Sequence, residues 1–322
     1  AEAVLGAHVH TGSWEAVVGL RERWFDGASA ELRVELAFGA LLAEIALGTA
    51  TVASAERLAS DVSLGASDHA RLRGAREGAA EAGSWALCAA LARLERSVSR
   101  SAADERVAAY AAAAATWHTD RGAALEAFGD LCAAWPESAE ARDAADLVVQ
   151  RLREAPSAAL ASRVEASLRA QERPADLAIA LRAQLTSPDA QSDRVLELAR
   201  IQVEALDDAG GALESLRCLA DPVAAAGVDW IADLATSSGQ LAEGAEALLR
   251  GEPSVQRLHA AARLMEEVDE SASLELWQRA YDADPSSPLA LDALDRLNRN
   301  LLDGEALADH LLRTVSSARV ED

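Results

Sequence analysis

Two histidines one residue apart, His8 and His10, have a spacing that could bind a metal ion. On a β-strand, such a pair places two ring nitrogens on one side, where they can hold Zn²⁺. A catalytic zinc site also needs neighbouring strands and further ligands on them. The sequence that follows offers neither the strands nor the ligands. The other four histidines are isolated: His69, His118, His259 and His310. We therefore interpret His8 and His10 as an exposed pair before the first helix, and we expect no metal site.

Patterns of other catalytic sites are missing as well. The chain has 53 acidic residues, so neighbours such as Glu266 and Glu267 arise by chance and do not indicate acid/base catalysis. No serine or cysteine lies in a nucleophile-elbow pattern, and no glycine-rich phosphate loop occurs. Residues 208–211, DAGG, are typical of a turn between helices. We expect a protein that is not an enzyme and that has no cofactor.

The composition favours a fold made of helices alone. The chain is 50% hydrophobic but only 4% aromatic, and alanine dominates stretches such as 108–115. Small side chains let helices approach closely. The eight prolines lie almost entirely between periodic segments, and alternating strand patterns with tight Asn-Gly turns are missing. We expect an all-α fold of about twelve to sixteen helices with essentially no sheet.

Charge and cysteine content restrict the partners and the compartment. A net charge of −23 argues against nucleic acid and anionic membranes, since phosphate binding needs a cationic surface. All 30 basic residues are arginine, which is typical of a GC-rich, bacterial genome. Cys88, Cys132 and Cys218 are odd in number and far apart, which favours a reducing, cytoplasmic location. No membrane span or signal peptide is recognised, although the chain begins at Ala1 and a targeting segment could precede it.

Helical patterns recur along the chain. Gly-Ser-Trp at 12–14 and again at 83–85 opens an apolar-periodic helix. Four similar segments each begin with an arginine, namely Arg33, Arg106, Arg194 and Arg257. A small residue of a second helix follows each of them at nearly constant distance: Thr51, Ala124, Ala212 and Ser273. Weaker helices are predicted between these pairs: 85–98, 158–170, 175–185, 240–250 and 305–315.

The clearest copy resembles a tetratricopeptide repeat (TPR). Ser273, Trp277, Ala280 and Pro285 occupy the four places of the second-helix pattern in that family, while its first-helix signature is approached only by Phe38-Gly39. The resemblance implies a right-handed α-solenoid of stacked antiparallel helix pairs. We expect residues 1–322 to form a single array, with double-hairpin units at 12–82, 83–171, 172–238 and 239–302 and a C-terminal cap helix at 303–322.

The four recurring arginines are the candidate partner-binding residues. In the family that the chain resembles, positions near the start of the first helix face the concave groove. A row formed by Arg33, Arg106, Arg194 and Arg257 could bind carboxylates of a partner through bidentate, charge-assisted bonds. The alternative is that each arginine pairs with an acid on its own or an adjacent hairpin, which an acid-rich helical surface favours.

A repeat scaffold without a catalytic set predicts a protein–protein interaction module. Two other classes stay open: a structural subunit that packs through apolar ends of the solenoid, and an α-helical enzyme whose pocket gathers acids and histidines from several hairpins. We expect protein partners and no nucleic-acid binding or membrane insertion; the sequence indicates neither the partner nor the oligomeric state.

Overall fold

The computed structural model describes residues 2–185 and 192–300, and these residues form nineteen α-helices, one short 3₁₀ helix and no β-strand. The chain divides into two compact units, Ala1–Arg173 and a second that begins at Pro174. The all-α prediction is confirmed. A single continuous array, its unit boundaries and its handedness stay predictions, and the cap helix predicted at 303–322 lies outside the described residues.

The first unit contains ten α-helices. They are α1 (Glu2–Thr11), α2 (Trp14–Trp24), α3 (Ala30–Ala46), α4 (Val52–Asp61), α5 (His69–Glu81), α6 (Trp85–Ser97), α7 (Ala102–Trp117), α8 (Arg121–Ala134), α9 (Ala139–Glu154) and α10 (Ala158–Ala170). Apart from α4 and α5, each helix packs on the next, and helices two apart also touch: α1 on α3, α3 on α5, α4 on α6, α7 on α9 and α8 on α10. Consecutive helices therefore alternate between two layers, as stacked antiparallel pairs do.

The second unit follows the same principle with shorter helices. They are α11 (Pro174–Gln184), α12 (Ser192–Glu204), α13 (Ala209–Leu216), α14 (Pro222–Ala226), α15 (Val228–Ser238), α16 (Leu241–Leu249), α17 (Val255–Glu266), α18 (Glu270–Ala283) and α19 (Pro288–Asn300). Apart from α13 and α14, neighbouring helices pack in sequence. α13 packs on α15, and α14 lies against α12, α15 and α16.

The expected helix number was too low. Part of the excess is α1, which includes His8 and His10, so the prediction that this pair precedes the first helix is wrong. Another part comes from α13 and α14, which are only 8 and 5 residues long. Asp221 and Pro222 start α14 with a cap and a fixed φ, and Gly227 at φ +87° ends it.

Two kinds of residue mark the starts of the repeated helices. Gly12 and Gly83 have φ +67° and +71°, a left-handed conformation that glycine adopts without strain, and α2 and α6 begin two residues later. Helices α8, α13 and α18 begin after Asp120, Asp208 and Asp269, whose carboxylates accept backbone N–H groups of the first turn.

Four residues after each of these caps lies a buried small residue, at positions 124, 212 and 273 as predicted. Thr51 is different because it is itself the N-cap of α4, so the buried small residue of that copy is Ala55. Similarly, α3, α7 and α17 do not begin at their arginines but after Ser29, Ser101 and Ser254. Each of these serine side chains accepts a backbone N–H.

The residues that first indicated the repeat form a core in the second unit. Ser273, Trp277 and Ala280 are at most 2% exposed, and α18 ends at Ala283, just before Pro285. The Trp277 ring lies among apolar residues, while its Nε1 donates to Glu266 Oε1 at 2.9 Å. Trp277 is therefore a packing residue of this repeat.

Glycines at helix contacts test the packing. Gly244 of α16 faces Ala235 of α15 so closely that an added Cβ would clash with the Ala235 methyl group. Gly74 of α5 has open space where a Cβ would lie, with nothing within 4 Å of it. We expect Gly74→Ala to stabilise the protein by about 0.5–1 kcal/mol through helix propensity. Gly244→Ala should destabilise it by about 1–3 kcal/mol through overpacking. Urea unfolding followed by circular dichroism measures both, and equal stabilisation would contradict the described packing.

Candidate functional site

An open apolar groove lies between α1, α3 and α5 in the first unit. Its volume is about 620 Å³. Each of the three helices contributes apolar residues to its lining: Leu5 and Val9, Phe38 and Leu42, Gly74 and Ala75. Phe38 is only 4% exposed and forms part of the floor, whereas Leu42 is 39% exposed. We call this surface the α1/α3/α5 groove.

Small residues shape the groove. An added Cβ at Gly39 would lie 3.1 Å from Leu5 Cδ1, so the absence of a side chain there lets α1 approach α3. Gly6 and Gly74 also lack a side chain, and an added Cβ at either meets nothing within 4 Å. Open space therefore lies over two of the three helices. A groove with this lining can accept bulky side chains of another molecule.

Charged residues lie along one side of the groove. Arg71 of α5 forms an ion pair with Glu35 of α3, and its guanidinium lies 5.7 Å from the centre of the Phe38 ring. Both charged side chains are about 40% exposed, at 42% and 40%. An adjoining recess of about 390 Å³ shares Glu35 and Arg71 with the groove and adds Glu31 and Asp68. Arg71 Nη1 lies 3.9 Å from Asp68 Oδ1.

An ionic cluster around the buried Glu95 holds α5, which lines the groove, against α6 and α7. Glu95 of α6 is 0% exposed. Arg73 Nε donates to its Oε1 at 3.0 Å, and Arg76 Nε donates to its Oε2 at 2.8 Å. His69 Nε2 lies 3.5 Å from Oε1 without hydrogen-bond geometry. Arg73 also contacts Asp104 of α7 at 3.4 Å.

The pKa shifts in this cluster have clear causes. The hydrogen bond to Glu95 raises the pKa of Arg73 above its usual value. The hydrogen bond from Ser101, followed by the charges of His69 and Arg73, lowers the pKa of Asp104. The two arginines satisfy both oxygens of Glu95, so these three side chains fix α5 on α6.

The four arginines predicted to bind a partner lie in separate packing environments. Arg33 donates to the carbonyl oxygens of Phe25 and Asp26 at 3.2 and 3.0 Å, at the end of α2. Arg106 Nε lies 2.6 Å from Glu140 Oε2, although the N–H does not point at that oxygen. Arg194 lies 3.4 Å from Glu197 on the same helix.

Arg257 is more enclosed than Arg106 and Arg194, whose side chains are 29% and 38% exposed. Its side chain is 13% exposed, and its Nη2 donates to both oxygens of Asp221 at 3.1 and 3.0 Å. Its Nη1 donates to the carbonyl of Arg250 at 3.0 Å. All four candidates thus have acid or carbonyl partners within the chain, and none of them lines the α1/α3/α5 groove. Their role in partner binding stays a prediction.

Sequence reasoning missed the groove and its arginine, Arg71. The spacing of residues along one helix shows which side chains share a face, but it does not show that Arg71 meets Glu35 on another helix. Only the pair Phe38-Gly39, noted for its likeness to the first-helix signature of the family, gave a signal for this surface.

Features that could indicate catalysis have structural explanations. Ser287 Oγ lies 3.3 Å from His259 Nε2, but Ser287 is 5% exposed and its Oγ accepts the N–H of Ala290. Burial lowers the pKa of His259.

Within residues 2–185 and 192–300, no three His, Cys, Asp or Glu side chains come together as a possible metal site. None of the described helices is long and apolar enough to span a membrane.

Stacked helix pairs with recurring caps and buried small residues define a helical-repeat protein. No protein-family model and no curated protein matches the chain. Among solved structures, the chain is similar to "Assembly Chaperone of RpL4 (Acl4) (Residues 1-338)", with 17% sequence identity over 75% of this chain and 99% of that chain. The TM-score is 0.25, so this similarity carries no argument about function.

The Arg257–Asp221 pair gives a test of the alternative that the arginines are structural tethers. We expect Arg257→Gln to destabilise the protein by about 1 kcal/mol, because it removes the hydrogen bonds to Asp221 and to the Arg250 carbonyl, while water can still hydrate the 41% exposed Asp221 carboxylate. Arg299→Gln, at a side chain that is 65% exposed, serves as the control and should change stability by about 0.5 kcal/mol or less. Urea unfolding compares the two variants; equal effects would contradict the tether.

The Arg257–Asp221 pair also predicts that the stability of the fold depends on pH. The hydrogen bond from Arg257 is the largest cause that lowers the pKa of Asp221. A carboxyl whose pKa is lower in the folded state stabilises the fold above its unfolded pKa of about 4. This contribution disappears as the pH falls through the folded pKa. In Arg257→Gln, the pKa of Asp221 measured by carboxyl NMR should rise toward the ordinary value, and an unchanged pKa would show that Arg257 is not its cause.

Proposed function

We propose that this protein is a non-catalytic, TPR-like interaction module that binds a segment of another protein in the α1/α3/α5 groove. The observation that carries the proposal is the groove itself, an open apolar surface of about 620 Å³ on three neighbouring helices. Soluble proteins usually cover such surfaces or use them for binding. Grooves between helices commonly bind peptide segments through a few anchoring side chains.

We also propose that the module works in the cytoplasm of a bacterium, and the composition supports this. The three cysteines are free, which fits a reducing cytoplasm, and the all-arginine basic content fits a bacterium with a GC-rich genome. A structural subunit that packs through the ends of a solenoid is the alternative. Exposed apolar residues such as Val268, at 52%, and Leu289, at 50%, are single residues, and scattered ones need no partner.

Site-specific photo-crosslinking tests the binding surface. A photoreactive amino acid replaces Leu42 in the groove or Val52 on α4. These side chains are similarly exposed, at 39% and 36%. In extracts of the native organism, we expect the residue at position 42 to form discrete crosslinks to another protein, and the residue at position 52 to form few or none. Indistinguishable crosslinking at the two positions would contradict the proposal.

The variant Gly74→Leu provides a control for the groove. Its side chain enters open space over α5, so it blocks the groove without disturbing the core. Gly19 of α2 also has space, since an added Cβ meets only Arg23 at 3.9 Å, and Gly19→Leu is the matched variant outside the groove. We expect Gly74→Leu to abolish crosslinking from position 42 and Gly19→Leu to leave it unchanged.

A further inference from the structure

We propose that the α1/α3/α5 groove selects a cationic segment that carries a bulky apolar side chain. This inference rests on the proposed function and adds the chemistry of the partner to it. The apolar side chain would pack on Phe38 and Leu42, and lysine or arginine side chains of the same segment would enter the acidic recess beside them. The argument uses the charges around the groove, the state of Arg71 and the space above the glycines.

The charges that border the groove are mostly negative. Glu31, Glu35 and Asp68 line the groove or its recess, and Arg71 is the basic residue among those linings. Three acids and one base leave a local excess of two negative charges. The net charge of the whole chain has the same sign, at −23. Local contact and long-range attraction therefore favour the same partner, a cation.

Arg71 does not neutralise this surface for a bound segment. It pairs with Glu35, but its side chain is 42% exposed, and exposed ion pairs are weak because water competes for both partners. A lysine or arginine of the bound segment can pair with Glu35 together with Arg71 or in its place. Arg71 would keep its contact with the Phe38 ring and its approach to Asp68 at 3.9 Å. An incoming carboxylate would meet three acids and a single guanidinium that is already paired.

The groove also has room for a bulky apolar group. The open space over Gly6 and Gly74 adjoins Phe38 and Leu42. Burying a large side chain there would remove the exposed part of Leu42 from water, which is favourable in proportion to the apolar area covered. A segment with both features would use the apolar floor for affinity and the acidic side for selectivity.

Binding of labelled peptides by the full chain tests this inference. The probe is a fluorescent peptide in which lysines flank a central Phe-Leu pair. One comparison peptide replaces the lysines with glutamates, and a second replaces Phe-Leu with Ser-Ser. We expect fluorescence anisotropy to show binding of the lysine peptide, at least tenfold weaker binding of the serine peptide and no measurable binding of the glutamate peptide. Raising the salt to about 1 M, where charges screen over about 3 Å, should weaken the binding of the lysine peptide.

Matched protein variants separate the groove from the overall charge. The double variant Glu31→Gln and Glu35→Gln removes two acids beside the groove. The double variant Glu22→Gln and Glu56→Gln removes two exposed acids from α2 and α4 and changes the net charge equally. We expect the first to weaken binding of the lysine peptide roughly threefold to tenfold and the second to change it less than twofold. Equal effects of the two would show general attraction and overturn the proposed selectivity.

The remaining outcomes distinguish the inference from the proposed function. The lysine and glutamate peptides could bind equally while the photoreactive residue at position 42 still forms crosslinks. That result would overturn the preference for a cationic segment and leave the proposed interaction module intact. Failure of the lysine peptide to bind would overturn the inference. If, in addition, the chain self-associates and Leu42→Glu makes it monomeric by sedimentation, the occupant of the groove is a second copy of this chain.

Discussion

A fully buried carboxylate, that of Glu95, is the constraint on which the geometry of the groove depends. A charged group that is buried away from water is tolerated only when it is paired and hydrogen-bonded. Here two guanidinium groups from α5 each donate a hydrogen bond to one of the two carboxylate oxygens. This pairing fixes the rotation of α5 on α6. Because Arg73 and Arg76 face Glu95, a different stripe of α5 lines the groove, with Arg71, Gly74 and Ala75 one helical turn apart.

Small side chains are the second condition. Leu5 reaches the surface of α3 because Gly39 has no side chain, and buried alanines such as Ala75 and Ala79, both 0% exposed, let α5 pack closely. Helices of this composition gain little from any single contact, so each depends on its neighbours for a core. The groove remains open where α1, α3 and α5 present residues too small to fill the space between them.

The helices could be predicted well from the sequence because their signals are local. Apolar spacing, Gly-Ser-Trp starts and the proline after α18 all act within a few residues, so the fold class and most helix positions were predicted correctly. The four helices that carry the recurring arginines were predicted as well, but the first residues of α3, α7 and α17 were not, because their serine caps were overlooked. α14 was also missed, since five residues are too few to show a helical period.

The candidate site was less predictable because its contacts join distant parts of the chain. Glu35 meets Arg71 on another helix, and Glu95 meets Arg73 and Arg76 in the same way. In a chain with 30 arginines and 53 acids, the sequence alone does not show which of the many possible pairs form. The four recurring arginines were recognised by their register, yet register does not determine whether a guanidinium faces a groove or a neighbouring carboxylate.

Hydrogen exchange of α5 in the variant Glu95→Gln tests most directly whether the buried carboxylate holds this helix in place. The substitution keeps the size of the side chain and removes the carboxylate that Arg73 and Arg76 share, while Arg73, at 38% exposure, keeps its contact with Asp104. Because water and Asp104 partly compensate the guanidinium charges, we expect a cost of about 1–3 kcal/mol. Amides of α5 that exchange through local opening should then exchange faster by about fivefold to a hundredfold. Glu77→Gln, at a side chain of the same helix that is 60% exposed, should leave their exchange nearly unchanged. Equal protection of α5 in both variants would contradict the account.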